Sequence, residues 1–327
     1  MKCLARDASI KAQIFDAAGD RVGSEFLVNT ETLSNQQQPT ITSLASGGFV
    51  VSWIDPSGQG GDASGYGIKA QIFDASGTKV GGEFPVNTAT LNSQQEPTIA
   101  ALPSGGFVVS WIDQSGQGGD ANPYGIKAQI FDAAGTKVDS EFLVNTITAD
   151  NQFEPSVAGL ASGGFVVVWS DVSQTGGDSS STSIKAQIFD AVGAKVGTEF
   201  LVNVETSGFQ LQPVITGLAS GGFVATWRDS SGQGGDADST GIKARIFDAS
   251  GDPVGDEFLV NTVTVNNQQD PAITALASGG FVISWGSPSG QSAQVFDAAG
   301  AKVGNEFVLA DSPSMSASRD STSPPSA

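Results

Sequence analysis

Pairs of aspartates separated by six residues recur in segments rich in glycine, serine and glutamine. The eight residues are Asp55, Asp62, Asp113, Asp120, Asp171, Asp178, Asp229 and Asp236. Calcium takes six to eight oxygen ligands, and two carboxylates on one flexible loop supply part of such a set. The D-x-D-x-D-G calcium loop pattern is absent, so the plain alternative is that these residues form solvated turns. Ca²⁺ is the only cofactor that the sequence suggests.

Aromatic residues form a second series that could contact a ligand. The candidates are Trp53, Trp111, Trp169, Trp227, Tyr66 and Tyr124. An aromatic ring at the rim of a fold stacks on a sugar ring, while nearby Asp, Asn and Gln side chains bind its hydroxyl groups. Alternation places each tryptophan on the strand face that also carries Phe and Val, so the core is the expected location. The two tyrosines are the more exposed candidates.

Composition excludes several kinds of chemistry. The 327 residues contain no histidine, so a Ser-His-Asp triad and a histidine-based zinc site are both excluded. Cys3 is the single cysteine, which excludes internal disulfides, and we expect it to be exposed and dispensable. A net charge of −19 disfavours nucleic acid as a partner. Residues 1–30 contain no apolar segment that could insert into a membrane.

The chain is built from a repeat of 58 residues, which the tryptophans and the motif Ile-Lys-Ala-Gln-Ile-Phe-Asp both follow. Each copy contains four short segments rich in Val, Ile, Phe and Trp and bounded by turn residues, which predicts four strands. We call them A, B, C and D. In one copy they begin at Pro97, Gly105, Ile126 and Glu141. A tight C-to-D turn predicts that Lys69 faces Glu83, as an exposed ion pair that sets the register.

A four-stranded unit of this size cannot bury both faces alone, so the copies must stack. We predict an all-β fold, a β-propeller of about five four-stranded antiparallel blades, with a linear stack of sheets as the rival. The predicted propeller domain covers 1–310 and contains a half blade at 7–30. The complete blades are 39–88, 97–146, 155–204, 213–262 and 271–309. Six C–D hairpins accompany five A–B hairpins. The surplus first hairpin either closes the ring by completing the blade that begins at Pro271 or is half of a blade without its A–B hairpin, and the second arrangement, an incomplete ring, is favoured. The Ser- and Pro-rich tail 311–327 is expected to be disordered.

The motifs GGFVVSW, GIKAQIFDASG and EFPVNT resemble the tandem repeats of large secreted bacterial proteins of the hemolysin-type (RTX-like) calcium-binding and adhesin-like classes. The resemblance covers about residues 7–309. It implies a secreted, extracellular location and a structural or adhesive role. The calcium-binding nonapeptide of that class is absent, so calcium binding does not follow from the resemblance.

Nearly every polar feature repeats in register, whereas catalysis requires unlike residues that converge on one point. The main prediction is therefore a non-catalytic extracellular binding or adhesion scaffold with calcium as its candidate stabilising ion, and with extracellular glycans or cell-surface components as partners. One alternative is a multivalent, lectin-like carbohydrate-binding propeller. A second is a glycan-degrading lyase or glycosidase, because two carboxylates suffice for glycoside hydrolysis. The exceptions to the repeat are few, and they include Arg228 and Arg245.

Overall fold

The computed structural model describes residues 9–60, 64–120, 122, 124–178, 181–236 and 238–309. Cys3, Asp62 and the tail 311–327 lie outside the described residues. Within these ranges the chain forms 22 strands. No helix in this part of the chain is long and apolar enough to cross a membrane.

The strands form one hairpin and five four-stranded antiparallel sheets. The hairpin consists of β1 (Lys11–Phe15) and β2 (Arg21–Leu27). Blade 1 contains β3 (Gln37–Ser43), β4 (Phe49–Asp55), β5 (Gly67–Phe73) and β6 (Lys79–Pro85). Blade 2 contains β7 (Gln94–Ala101), β8 (Phe107–Asp113), β9 (Gly125–Phe131) and β10 (Lys137–Leu143). Blade 3 contains β11 (Gln152–Gly159), β12 (Phe165–Asp171), β13 (Ser183–Phe189) and β14 (Lys195–Leu201).

Blade 4 contains β15 (Gln210–Gly217), β16 (Phe223–Asp229), β17 (Gly241–Phe247) and β18 (Phe258–Leu259). Blade 5 contains β19 (Gln269–Ala275), β20 (Phe281–Ser287), β21 (Gly290–Phe296) and β22 (Lys302–Val308). The spatial order within each blade is strand A, B, C and D, so the predicted strand types are confirmed. The links from B to C and from D to A lie at one end of every blade, which we call the long-loop end.

Strand A is the innermost strand of each blade, because the A strands of consecutive blades contact one another. These strands approach most closely at Gly159 and Gly217. A Cβ atom built on Gly159 would lie 2.3 Å from the carbonyl oxygen of Ala101, and one on Gly217 would lie 2.3 Å from that of Gly159. The A strands therefore converge as in a β-propeller, and the predicted all-β propeller fold is confirmed. Hydrogen bonds between described strands do not close the ring.

Apolar side chains fill each junction between blades. The face of blade 1 that carries Val50, Ile68 and Ile72 packs against the face of blade 2 that carries Phe107 and Trp111. The same arrangement recurs at the following three junctions and where the β1–β2 hairpin meets blade 1. Strands rich in β-branched and aromatic residues thus present apolar surface on both faces.

The C-to-D hairpins contain a bulge that the sequence analysis missed. Ile72 lies opposite Val80, but Phe84 lies opposite Ala70, whereas the predicted pairing of Lys69 with Glu83 would place it opposite Ile68. Strand D has three residues between these two pairs where strand C has one, so the bulge adds two residues, and Gly81 within it adopts a φ of 70°. The side-chain amide of Gln71 donates a 2.9 Å hydrogen bond to the carbonyl oxygen of Ile72 and supports this bulge.

Candidate functional site

Each complete C–D hairpin of blades 1 to 4 buries its lysine between two carboxylates. In blade 1, Lys69 Nζ lies 2.7 Å from Asp55 Oδ2 and 3.0 Å from Glu83 Oε1, and 8% of the lysine side chain is exposed. We call this arrangement the lysine clamp. The other clamps are Asp113–Lys127–Glu141, Asp171–Lys185–Glu199 and Asp229–Lys243–Glu257. The ion pairs exist as predicted, but the expectation that they are exposed is wrong for these four blades.

The glutamate of each clamp also joins neighbouring blades. Glu83 Oε2 accepts hydrogen bonds from the backbone amides of Thr30 at 2.6 Å and Glu31 at 3.3 Å, in the loop that follows the β1–β2 hairpin. Glu199 contacts Thr146 and Ile147 in the same way. On the other side of the clamp, Gln36 donates to Asp55 at 3.3 Å. The clamp is therefore one part of a hydrogen-bonded network that links consecutive blades.

The charges of the clamp stabilise one another. Burial raises the pKa of Asp55, but hydrogen bonds from Lys69 and Ser57 outweigh this effect and hold the pKa below its ordinary value of 3.8. Burial likewise opposes the charge on Glu83, whose pKa is nevertheless lowered by the amide of Thr30 and by Lys69. Burial lowers the pKa of Lys69, but the two carboxylates raise it above its ordinary value. All three groups are charged at neutral pH.

The paired aspartates occupy two separate hydrogen-bonding sites. The first aspartate of each pair, such as Asp113, belongs to a lysine clamp. In blades 2 and 4 the second accepts a hydrogen bond from a buried asparagine amide, 2.9 Å long between Asn145 and Asp120 and again between Asn261 and Asp236. No group of three or more acidic side chains in the described part of the chain is placed to hold a metal ion. Calcium binding therefore stays a prediction from the sequence.

The tryptophans lie inside the junctions between blades. Trp53, Trp111, Trp169 and Trp227 are all 0% exposed, so no face of these rings reaches solvent. The two tyrosines are less buried than the tryptophans. Tyr66 is 39% exposed. Tyr124 packs against Phe153 of blade 3, with 5.5 Å between the ring centroids.

A series of unlike polar residues lies on the innermost strands at the long-loop end. We call it the inner rim, and its members are Gln38, Glu96, Glu154, Gln212 and Asp270. Each precedes the proline of strand A and has a positive φ between 47° and 55°. Such a conformation costs of order 1–3 kcal/mol for a residue other than glycine, and strain of this kind is concentrated at functional sites. These residues also recur at the 58-residue offset. Sequence reasoning did not predict them as a site, because each lies close to a glutamine and a proline that recur without change.

Side chains of the inner rim contact the next blade directly. Glu154 Oε2 accepts a 2.6 Å hydrogen bond from the backbone amide of Gln212. The side-chain amide of Gln212 donates to Asp270 at 2.9 Å. Gln38 Oε1 accepts from the backbone amide of Glu96 at 3.2 Å. Residues of successive blades are thus brought side by side around the inner strands.

Strand B adds a second set of unlike residues beside the inner rim. Ser170 and Arg228 occupy the positions that Ile54 and Ile112 hold in blades 1 and 2. Ser170 donates a 2.9 Å hydrogen bond to Glu154 Oε2. The side chain of Arg228 is partly buried and makes no hydrogen bond or ion pair with any residue that the structure describes. Carboxylates and hydrogen-bond donors of different types therefore converge in blades 3 to 5, which the repeat period did not predict.

Arg245 lies away from the inner rim, in the junction between blades 3 and 4. Its Nη1 donates a 3.1 Å hydrogen bond to the carbonyl oxygen of Val202, and its guanidinium lies 5.4 Å from the ring centroid of Phe247. Strand D of this blade is reduced to two residues, Phe258–Leu259. Arg245 replaces the glutamine that supports the bulge elsewhere, and Pro253 removes a backbone donor from this edge.

No protein-family model and no curated protein matches this chain. Among solved structures, the α-L-arabinanase of Penicillium chrysogenum, complexed with arabinobiose, matches with a TM-score of 0.54 and 14% identity, over 85% of this chain and 81% of the other. The GH93 α-L-arabinofuranosidase of Fusarium graminearum, also with arabinobiose, matches with a TM-score of 0.57 and 11% identity, over 84% and 81%. A protein of unknown function from Dyadobacter fermentans matches with a TM-score of 0.53 and 14% identity, over 84% and 82%. Identities this low show a shared fold alone.

These matches correct the prediction of a non-catalytic binding or adhesion scaffold. Two of the matching structures described above are enzymes, an arabinanase and an arabinofuranosidase. The prediction also assumed that nearly every polar feature repeats, whereas the residues of the inner rim and Ser170 beside it vary from blade to blade, in addition to Arg228. The comparisons give no support to the hemolysin-type resemblance.

Proposed function

We propose that this protein is a glycoside hydrolase that acts on glycans at the inner rim. The observation that carries the proposal is the set of contacts that joins Glu154 to Ser170 and Gln212, and Gln212 to Asp270. Arg228 holds the position in blade 4 that Ser170 holds in blade 3. Arabinose-containing glycans are the first substrate class to test, because an arabinanase and an arabinofuranosidase share this fold.

The proposed chemistry needs two carboxyl groups on opposite sides of the scissile bond. Glu154 is the candidate base or nucleophile, because Gln212 and Ser170 both donate to its Oε2 and no described residue donates to its Oε1. Asp270 is the candidate acid, because it is the second carboxyl group that Gln212 contacts. In the reaction the acid gives its proton to the glycosidic oxygen as the bond from carbon to oxygen breaks. Water supplies the hydroxyl group of the new reducing end, and its remaining proton passes to Glu154 if Glu154 acts as base, or to Asp270 if Glu154 acts as nucleophile and is then displaced from the sugar by the water.

Neighbouring side chains would bind the sugar. Phe153 adjoins Glu154 in sequence and packs against Tyr124, so the two rings form an apolar surface at the junction of blades 2 and 3. An aromatic surface of this kind contacts the carbon–hydrogen face of a sugar ring. Arg228 would donate hydrogen bonds to oxygen atoms of the same ligand. Tyr124, which the sequence analysis named as a candidate ligand residue, thus contacts the residue that precedes Glu154 in the chain.

The test is release of reducing ends from arabinan and from a panel of plant and bacterial polysaccharides. We expect activity in the native chain and a loss of about a hundredfold or more in Glu154→Gln and Asp270→Asn. Glu25→Gln is the matched control, because this carboxylate is more than half exposed and lies on the β1–β2 hairpin. Absence of product from every polysaccharide, or full activity in Glu154→Gln, would refute the proposal. Saturable binding without product would favour the lectin-like alternative.

The proposed substrates are polymers found outside cells, so the proposal requires export of the protein. An extracellular location is also what the repeat resemblance implies. Fractionation of a producing culture, with the protein detected by antibody in the medium and in the cells, tests this requirement. Retention of the whole pool inside intact cells would contradict it.

A further inference from the structure

The β1 strand has an unpaired edge where every other strand C has a partner. The residues Lys11–Phe15 have the same sequence as Lys69–Phe73 in blade 1. Strand β5 pairs with β4 on one side and with β6 on the other. Among the described residues, β1 pairs with β2 alone. Its second edge therefore presents backbone amide and carbonyl groups that can accept another strand.

Apolar side chains around this edge are exposed although their equivalents are buried. Phe15 is 47% exposed, whereas Phe73 is 1% exposed. Ile41 on the inner strand of blade 1 is 60% exposed, whereas Ile99 of blade 2 is 7% exposed. Phe73 stacks on Phe49 of its own strand B and also contacts Phe26 of the preceding hairpin, while the strand of Ile99 lies against strand A of blade 1. A strand B and a strand A added beside β1 would therefore cover one side of Phe15 and Ile41, as they do in the later blades.

The lysine clamp at this edge is half complete. Lys11 Nζ contacts Glu25 Oε1 at 2.5 Å, and the lysine side chain is 61% exposed. In blade 1 the second carboxylate comes from Asp55, the last residue of strand B. A strand B added to β1 in the usual register would end in an aspartate at that place.

We propose that the β1 edge binds an A–B hairpin of this same repeat. The added strand B would run antiparallel to β1, with its phenylalanine opposite Phe15 and its tryptophan opposite Lys11, as Phe49 lies opposite Phe73 and Trp53 opposite Lys69. Its aspartate would complete the clamp around Lys11, and its strand A would cover Ile41. Addition of a strand to an exposed sheet edge is an established mode of peptide recognition.

The first experiment uses a labelled synthetic peptide with the sequence of residues 37–55, titrated into the whole chain and followed by fluorescence anisotropy. We expect saturable binding that weakens on the order of tenfold when the peptide carries Asp55→Asn, because Lys11 then lacks its second carboxylate. The same peptide change should have little effect on binding to a Lys11→Gln chain. Absence of saturable binding, or an equal effect of Asp55→Asn on both chains, would overturn the proposal.

A second experiment tests the register independently of affinity. Ser52 lies opposite Ala70, whose equivalent in β1 is Ala12. A chain with Cys3→Ser and Ala12→Cys should form a disulfide with a peptide that carries Ser52→Cys. The matched control peptide carries Ile41→Cys, which belongs to strand A and lies away from β1. Equal cross-linking of both peptides, or of neither, would overturn the proposed register and the proposal with it.

Discussion

Lys69 Nζ lies 2.7 Å from Asp55 Oδ2, and the two side chains are 8% and 2% exposed. A buried ion pair is favourable only when its geometry and its additional hydrogen bonds offset the loss of hydration. Gln36 and Ser57 donate to the same carboxylate, and Glu83 supplies a second negative group to the lysine. The repeated charges are therefore part of the packing between blades and are not a solvated face.

Removal of one clamp lysine should destabilise the fold strongly. We expect Lys127→Met to lower the free energy of unfolding by about 3–5 kcal/mol, because two buried carboxylates lose their counter-charge. The side chain of Lys127 is 2% exposed. Urea unfolding followed by tryptophan fluorescence measures the change. Lys11→Met is the control and should cost about 0–1 kcal/mol, since that ion pair is exposed. Equal effects of the two substitutions would contradict the structure.

Stability should fall at acidic pH. The pKa values of Asp55 and Glu83 are lowered in the folded chain. For each group, the folded state therefore binds fewer protons than the unfolded state at any pH between its folded and its unfolded pKa. Their contribution is complete above the ordinary values of 3.8 and 4.5 and is lost as the pH falls through the lower folded values. The measurement is the guanidinium midpoint between neutral pH and pH of about 3. Glu83→Gln should reduce this dependence, and an unchanged dependence in that variant would refute the assignment.

The close approach of the inner strands requires glycine at residue 159. A Cβ atom there would lie 2.3 Å from the backbone oxygen of Ala101, so Gly159→Ala must push two inner strands apart. We expect a loss of about 1–3 kcal/mol in unfolding free energy. Gly82→Ala is the matched control, because nothing lies within 4 Å of its Cβ position. The control should be neutral or slightly stabilising. A stable Gly159→Ala variant would show that the A strands are further apart.

Activity should depend on the residues that break the repeat. Arg228→Ile and Ser170→Ile introduce the residue found at the same position in blades 1 and 2. If the proposed function is correct, kcat/KM on the active substrate should fall about tenfold or more in each variant, because ligand contacts or the position of Glu154 are lost. Thermal unfolding should change little. Ile112→Val is the matched control outside blades 3 to 5. Unaltered kcat/KM in both isoleucine variants would show that Arg228 and Ser170 do not belong to the site.

Calcium provides a further test of the loops. The first aspartates contact lysine, and the second aspartates of blades 2 and 4, Asp120 and Asp236, contact asparagine, so we expect the unfolding midpoint to be the same in EDTA and in calcium. A site that binds only the folded state would add about 2.7 kcal/mol at a hundredfold excess over its dissociation constant. Magnesium is the control. A calcium-specific rise would support the sequence prediction and would require these aspartates to exchange partners.

Local features of the repeat were sufficient to predict the strands and the fold class. Alternation of Phe, Val and Trp in segments such as Phe49–Asp55 indicates a strand with apolar surface, and four strands per period require stacking. The bulge at Gly81 was not predictable in this way, because glycine in a strand is compatible with several conformations.

Tertiary structure decided that Lys69 is buried and that the residues of the inner rim lie side by side. Whether a lysine is exposed depends on which carboxylates surround it, and here Asp55 comes from the neighbouring strand while Glu83 also contacts the preceding loop. In the inner rim, Glu154, Gln212 and Asp270 are 58 residues apart from one to the next and meet only because the A strands converge. The amino-acid sequence by itself determined the repeating strands through local side-chain preferences. Contacts between repeats decided which polar residues are structural and which are available to a ligand, since those contacts join residues distant in the chain.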